Sequence, residues 1–247
     1  MATAQELTDP HLTIYVPPPR AASGICRVCH GSSGTYVRCY SCNATYHAVT
    51  HPLALVVPVS LTRTDMEAQL HNVLRDYKYA DETVRARHRL HIAALLQRFL
   101  VGHRGCIEGA AGGSFDVITV VPSKRGRAGA HPLEQAIALA PQVDAIHERL
   151  LEPGPTDIGR NAPSDTGFVA NENAAGRRVL LVDDTLTSGA KLQSAASALT
   201  LGGATVVAGL VLGRVIDVSN TDHYPERAEL WRQQTRVPFS FDTCCLE

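Results

Sequence analysis

The stretch from Val179 to Lys191, Val-Leu-Leu-Val-Asp-Asp-Thr-Leu-Thr-Ser-Gly-Ala-Lys, constrains this chain more than any other. Val179 to Val182 run apolar without alternation, as a strand buried on both faces of a parallel sheet does. Asp183 and Asp184 stand where such a strand ends, and a hydroxyl-rich turn, Thr185 to Ser188, follows and is closed by Gly189. From Ala190 to Leu201 a helix is predicted, with Leu192, Ala196 and Leu199 on one stripe. In that order the parts make a phosphate site. The helix start offers unpaired N–H groups and a positive dipole end, Gly189 lets the backbone come close, and Thr and Ser add donors. Carboxylates there would repel a phosphate unless they serve another part of the ligand, such as sugar hydroxyls or a magnesium ion already carrying phosphate. The plainer alternative is a buried strand that ends in a solvated acidic turn.

A chain of 247 residues suffices for one α/β domain and a small appendage, and 45% apolar content supports a sizeable core. A net charge of −1 argues against a broad electrostatic grip on nucleic acid. No apolar run approaches a membrane span and the first residues lack a signal-peptide pattern, so the expected partner list excludes the membrane and the expected location is the cytoplasm. Thiols stay reduced there. Cys26, Cys29, Cys39 and Cys42 form two Cys-x-x-Cys pairs nine residues apart, with a Gly-Ser-Ser-Gly segment between them. Two such turns complete a tetrahedral shell of four sulfurs, so a structural zinc with no open coordination position is expected. Disulfides or free thiols are the alternative. His30, His47 and His51 are nearby substitutes should one cysteine not be a ligand, and otherwise ordinary surface histidines; Cys106 is read as a buried thiol, and Cys244 and Cys245 have no legible task.

Residues 1–25, with three prolines at 17–19, read as an extended lead-in, and the knuckle occupies about 26–47. A strand is expected over Leu53 to Val59, interrupted near Pro58. Thr64 and Glu67 have the spacing of a capping box before a stripe of Met66, Leu70, Val73, Leu74 and Tyr77. A second amphipathic helix is predicted over 82–100, with His88 and His91 partly exposed, then a glycine-punctuated loop over Gly102 to Gly113. Phe115 to Val121 reads as a second buried strand, and Pro122 ends it directly before Ser123-Lys-Arg-Gly-Arg127. Ligands of open α/β sheets sit beyond the carboxyl ends of strands, so this basic loop and the acidic loop would face one crevice. A solvated basic loop is the other reading. A helix kinked at Pro141 is expected over 131–151, a long loop containing Arg160, Asn161 and Phe168 over 152–176, a strand over Ala204 to Leu212, and a helix over Pro225 to Gln234.

Val179 to Gly189 resembles the phosphoribosyl pyrophosphate (PRPP) signature of type I phosphoribosyltransferases, an apolar strand followed by Asp-Asp-x-x-Thr-Ser/Thr-Gly. Neither the Walker Gly-Lys-Ser/Thr core nor the Gly-x-Gly-x-x-Gly of dinucleotide folds occurs in this stretch. The order of knuckle, Tyr77-Lys78-Tyr79, Val-Pro strand end with a basic loop, and acidic signature is similar to the competence-associated (ComF-type) subfamily. The chain departs from it with Val120-Val-Pro-Ser123 in place of Val-Pro-Val-Pro, and it lacks the Arg-Gly-Phe-Asn run after Gly126. It also has Thr185-Leu-Thr-Ser188 where Val-x-Thr-Thr is commoner.

The resemblance implies a Rossmann-like α/β fold, a mostly parallel sheet flanked by helices, with a hood over the acceptor. It implies a division into a zinc-knuckle module (1–52) and a phosphoribosyltransferase domain (53–247). The implied activity is Mg2+-dependent transfer of phosphoribosyl from PRPP to a small nitrogenous acceptor, with pyrophosphate released, in a homo-oligomer. Asp183 and Asp184 would hold the ribose hydroxyls, and Thr185, Leu186, Thr187, Ser188 and Gly189 the 5′-phosphate. Ser123, Lys124, Arg125 and Arg127 would meet the pyrophosphate, assisted by Lys78, with Lys124 and Arg125 joining the acid pair in catalysis. A second expectation is a non-catalytic sensor of PRPP or nucleotide. In that reading Arg27, Tyr36, Arg38 and Tyr40 leave nucleic acid open as a partner of the knuckle.

Overall fold

Runs that are apolar at every position need cover on both sides, and here they are covered by helices on one face and by a helix and the cysteine knuckle on the other. The computed structural model describes residues 2–64, 68–123, 130–219 and 221–247. In chain order they form α1 (Ala4–Thr8), α2 (Tyr40–Tyr46), β1 (Val56–Thr62), α3 (Gln69–Tyr79) and α4 (Glu82–Ala111). Next come β2 (Val117–Val120), α5 (Pro132–Ile137), α6 (Pro141–Asp144), β3 (Leu151–Pro153) and β4 (Phe168–Ala170). The chain closes with β5 (Arg178–Leu186), α7 (Ala190–Leu201), β6 (Thr205–Val215) and α8 (Pro225–Gln234). The main sheet has the order β1-β6-β5-β2, with every neighbouring pair parallel, and β3 and β4 form a separate antiparallel pair. Among the described residues no helix is long and apolar enough to cross a membrane.

The two-residue period of a strand divides the core. Leu180 and Val182 of β5 join Ile118, Val120, Leu210 and Leu212 beneath α3, α4 and α5. Val179 and Leu181 face the other way, with Val117, Val211, Leu192, Ala196 and the four knuckle cysteines. Backbone and side-chain bonds tie the knuckle to this second face. Val56 N–H donates to Val28 O at 2.8 Å, and Leu53 N–H donates to Gln193 Oε1 of α7 at 2.8 Å.

Several expectations change. The strand at Pro58 is not interrupted there: β1 continues to Thr62 because it lies at the sheet edge, where a missing N–H can face away from the ladder. Residues 102–111 continue α4 instead of forming a loop. Buried His103 and Ile107 hold that turn on the core, and the helix stops only at left-handed Gly112 (φ 72°). The expected helix over 131–151 is two short ones, because Pro132 and Pro141 each sit at a helix start, where a missing N–H is harmless. Beyond them His147 bridges to Ile118 and the chain enters β3. Part of the 152–176 loop is the β3–β4 pair, anchored by buried Phe168.

Nor is the lead-in simply extended. Thr3 and Glu6 make a capping box for α1, which packs on α4, and buried Tyr15 shares a hydrogen bond of 2.6 Å with His91 Nε2. His91 is therefore buried, not partly exposed. His30 is buried too, in a left-handed conformation (φ 55°) with Nδ1 bonded to Pro19 O at 3.0 Å. Helix α3 begins at Gln69 after Ala68, so Thr64 does not cap it; Met66 and Glu67 lie outside the described residues.

Candidate functional site: a cleft at the carboxyl ends of the strands

Parallel pairing of β2 with β5, register Val120 to Val182, brings Ser123 and the acidic pair to one edge of the sheet. Val121 N–H donates to Val182 O at 2.9 Å, which extends the pairing up to that edge. A cleft of about 970 Å³ opens there. Lys78, Ser123, Asp183, Asp184, Thr185, Leu186, Thr187, Ser188 and Gly189 all line it. Lys124, Arg125 and Arg127 lie outside the described residues.

Strand β5 runs four residues beyond the expected end, because β6 is long enough to pair with it as far as Leu186. The two carboxylates are thus inside a strand and point to opposite faces. Asp184, 4% exposed, turns towards α3, where it accepts a hydrogen bond from the Tyr77 hydroxyl and forms an ion pair with Lys78. Burial raises its pKa, but the Lys78 charge and the two hydrogen bonds outweigh burial and leave it below the usual carboxylate value. Half-buried Asp183 accepts from its neighbour's N–H at 2.9 Å. Burial, then the Asp184 charge, pushes its pKa up to about 7. One carboxylate is held ionised and the other titrates near neutrality.

Gly189 begins α7 in a left-handed conformation (φ 80°) and has no side chain to cap the helix. Ala190 N–H, the first of α7, donates to Ser188 Oγ at 3.4 Å, and the helix start lines the cleft beside Thr187 and Ser188. What holds this loop is Arg214, which lies two residues past the strand expected over Ala204 to Leu212 and carries no local signal in the sequence. Its Nη1 donates to the carbonyls of Leu186, Thr187 and Val215 at 3.2, 2.8 and 2.6 Å. Its Nε donates to Cys29 Sγ at 3.4 Å. Burial works against the Arg214 charge, and the sulfurs of Cys29, Cys39 and Cys42 more than offset it. One buried cation thus joins the cysteine knuckle to the loop at the helix start. The fork of donors on a guanidinium is what allows four contacts at once.

Cys26, Cys29, Cys39 and Cys42 come together as expected from their spacing, all buried, with their sulfurs within 4.8 Å of one another. Cys29 Sγ lies 3.8 Å from Cys39 Sγ. A tetrahedron with Zn–S bonds of about 2.3 Å has edges of about 3.8 Å, so the cluster is compatible with a closed zinc site. His30, bonded to Pro19, takes no part.

The rest of the rim comes from several places, among them Thr64 after β1, Tyr79 at the end of α3, and His131 and Pro132 at the start of α5. Ser32 and Ser41 belong to the knuckle, Asp157, Ile158 and Arg160 to the segment between β3 and β4, and Asp217, Ser219 and Arg227 to the chain after β6. The sequence signalled Arg160; nothing distinguished Asp217 or Arg227 from ordinary surface charges. The chain matches no model of a known protein family and no curated protein. The site's own chemistry therefore carries the functional reading.

Proposed function

We propose that the chain is a phosphoribosyltransferase that takes PRPP and a small nitrogenous acceptor. The observation that carries this is the meeting of an acidic pair, a glycine-led helix start with hydroxyls, and Ser123 around one cleft. Such a set suits a ligand that is a polyol in the middle and an anion at its ends.

In this reading the N–H groups of 187–190 take the 5′-phosphate, with Thr185, Thr187 and Ser188 adding hydroxyl donors. Asp184, fixed by Tyr77 and Lys78, accepts from one ribose hydroxyl, and Asp183 from the other. Ser123 begins the loop that meets the pyrophosphate, with Lys124, Arg125 and Arg127 as its cations. The acceptor nitrogen bonds to C1 as the C1–O bond breaks; the electron pair of that bond leaves on pyrophosphate, which takes up in net terms the proton the nitrogen gives up. Positive charge develops on the ribose ring in between, next to two carboxylates whose position is already set. Mg2+ arriving with the diphosphate would neutralise part of the charge on the leaving group. The four-cysteine cluster holds zinc and, through Arg214, keeps the phosphate loop in shape. Asp157, Arg160, Asp217 and Arg227 surround the space left for the acceptor, which favours a heterocycle with both donors and acceptors on its edge.

The test is incubation of the full chain with PRPP, Mg2+ and a panel of purines, pyrimidines and related heterocycles, followed by assay of released pyrophosphate. Release that depends on one class of base supports the proposal. Tight PRPP binding with no release across the panel would point instead to a sensor.

A further inference from the structure

Far from the cleft, a second group of potential metal ligands lies where the end of the chain crosses α4. His103 and Cys106 are three residues apart on that helix and so share a face. Cys244 and Glu247 are also three apart, on a turn in which Glu247 N–H donates to Cys244 O at 3.4 Å. The two pairs face each other, with the four potential ligand atoms within 4.8 Å of one another.

We infer that His103 Nδ1, Cys106 Sγ, Cys244 Sγ and Glu247 Oε1 form a second metal site, taking zinc and clamping the last residues of the chain onto α4. The spacing of the atoms is the first reason. Cys106 Sγ is 3.7 Å from His103 Nδ1 and 3.3 Å from Glu247 Oε1. Glu247 Oε1 is 3.4 Å from His103 Nδ1 and 3.8 Å from Cys244 Sγ. A tetrahedral zinc with bonds of about 2.0–2.3 Å requires edges of about 3.3–3.8 Å. The Cys29–Cys39 edge of the knuckle, 3.8 Å, falls in the same range.

The second reason is the orientation of the histidine. His103 is 2% exposed and its Nε2 lies 2.9 Å from the Phe241 carbonyl. A carbonyl only accepts, so Nε2 carries the proton, and in the neutral ring the Nδ1 lone pair points at the other three groups. A histidine ligand held from behind by a backbone carbonyl is the usual outer support of a zinc site. The same bond places Phe241, itself in the core, directly behind the site.

The mixture of ligands selects the metal. Two thiolates exclude magnesium and calcium, which take oxygen, and a histidine with a carboxylate departs from the all-cysteine set of the commonest iron–sulfur clusters. One nitrogen, two sulfurs and one oxygen in a tetrahedron suit zinc. All four positions are filled by the protein, so the ion would hold structure and leave the chemistry to the cleft. Phe239, Phe241 and Cys245 pack against Tyr15 and α4 on the same side, and the clamp would lock that packing. The site does not depend on the phosphoribosyltransferase reading.

Full-length protein purified under reducing conditions without chelator, analysed for metal, tests it. About two zinc ions per chain are expected, falling to about one in Cys106→Ser/Cys244→Ser. A second measurement needs no variant. Zinc-edge X-ray absorption of the wild-type chain should report an average of about three sulfurs and one nitrogen or oxygen per zinc, the mean of a four-sulfur and a two-sulfur site. One zinc per chain with four sulfurs would overturn the proposal. So would an unchanged zinc content in the double variant, or a Cys106–Cys244 disulfide found in the reduced preparation.

Discussion

Asp183 and Asp184 are neighbours in the chain with opposite surroundings, and their charges follow from that. Strand geometry sends Asp184 to Tyr77 and Lys78 and leaves Asp183 half-buried in the cleft lining, where burial first and the Asp184 charge second raise its pKa. A carboxyl whose folded pKa is raised to about 7 binds its proton more tightly in the folded state than in the unfolded one. Its stabilising effect is complete below the unfolded value near 4 and is lost as pH rises towards 7. Asp183→Asn should therefore raise the stability of the ligand-free chain at pH 8 by about 1 kcal/mol, roughly 2–4 °C in Tm. The gain should shrink to nothing as pH falls to 4, which thermal unfolding across pH would show. A gain independent of pH would mean that the carboxylate is not under this strain. Under the proposed function the same variant should lose PRPP turnover, since it would remove charge where the ribose is proposed to become cationic.

Arg214, at the end of β6, is the contact through which the knuckle and the β5–α7 loop act as one element. Arg214→Lys keeps the charge but cannot reach three carbonyls and a sulfur together. We expect it to retain the knuckle's zinc and to weaken PRPP binding about tenfold, a difference of about 1.4 kcal/mol. Equal affinity in calorimetry would show that the loop holds its shape without the guanidinium. Legibility in the sequence also varied by element. Helix α7 was readable from end to end because Gly189 and Gly202 bracket one apolar stripe, and α8 because Pro225 marks its start. The extension of α4 past Gly102 was not readable, since glycine usually ends a helix. Only the packing of His103 and Ile107 against a distant part of the chain reverses that preference. The acidic pair and the four knuckle cysteines were legible as local spacings. Arg214 and the His103–Glu247 group were not, because each joins residues far apart in sequence.

At the scale of the whole molecule, the cleft is built jointly by the sheet edge, the knuckle, the β3–β4 segment and the chain after β6. The knuckle supplies buried sulfurs to the core under α7, so it is not a separable ornament. On the proposed zinc and PRPP roles, removing the metal in Cys26→Ser/Cys42→Ser or by chelation should lower Tm and slacken the β5–α7 loop together, with affinity for PRPP falling in step with zinc content. Zinc loss that leaves PRPP affinity untouched would separate the two. The most direct measurement of the central claim is calorimetric titration of PRPP with Mg2+ into wild-type chain and into Asp183→Asn/Asp184→Asn. The account predicts one site per chain and a loss of affinity of about 100-fold or more in the double variant, about 2.7 kcal/mol or more. Equal binding by both proteins, or none by the wild type, would contradict it.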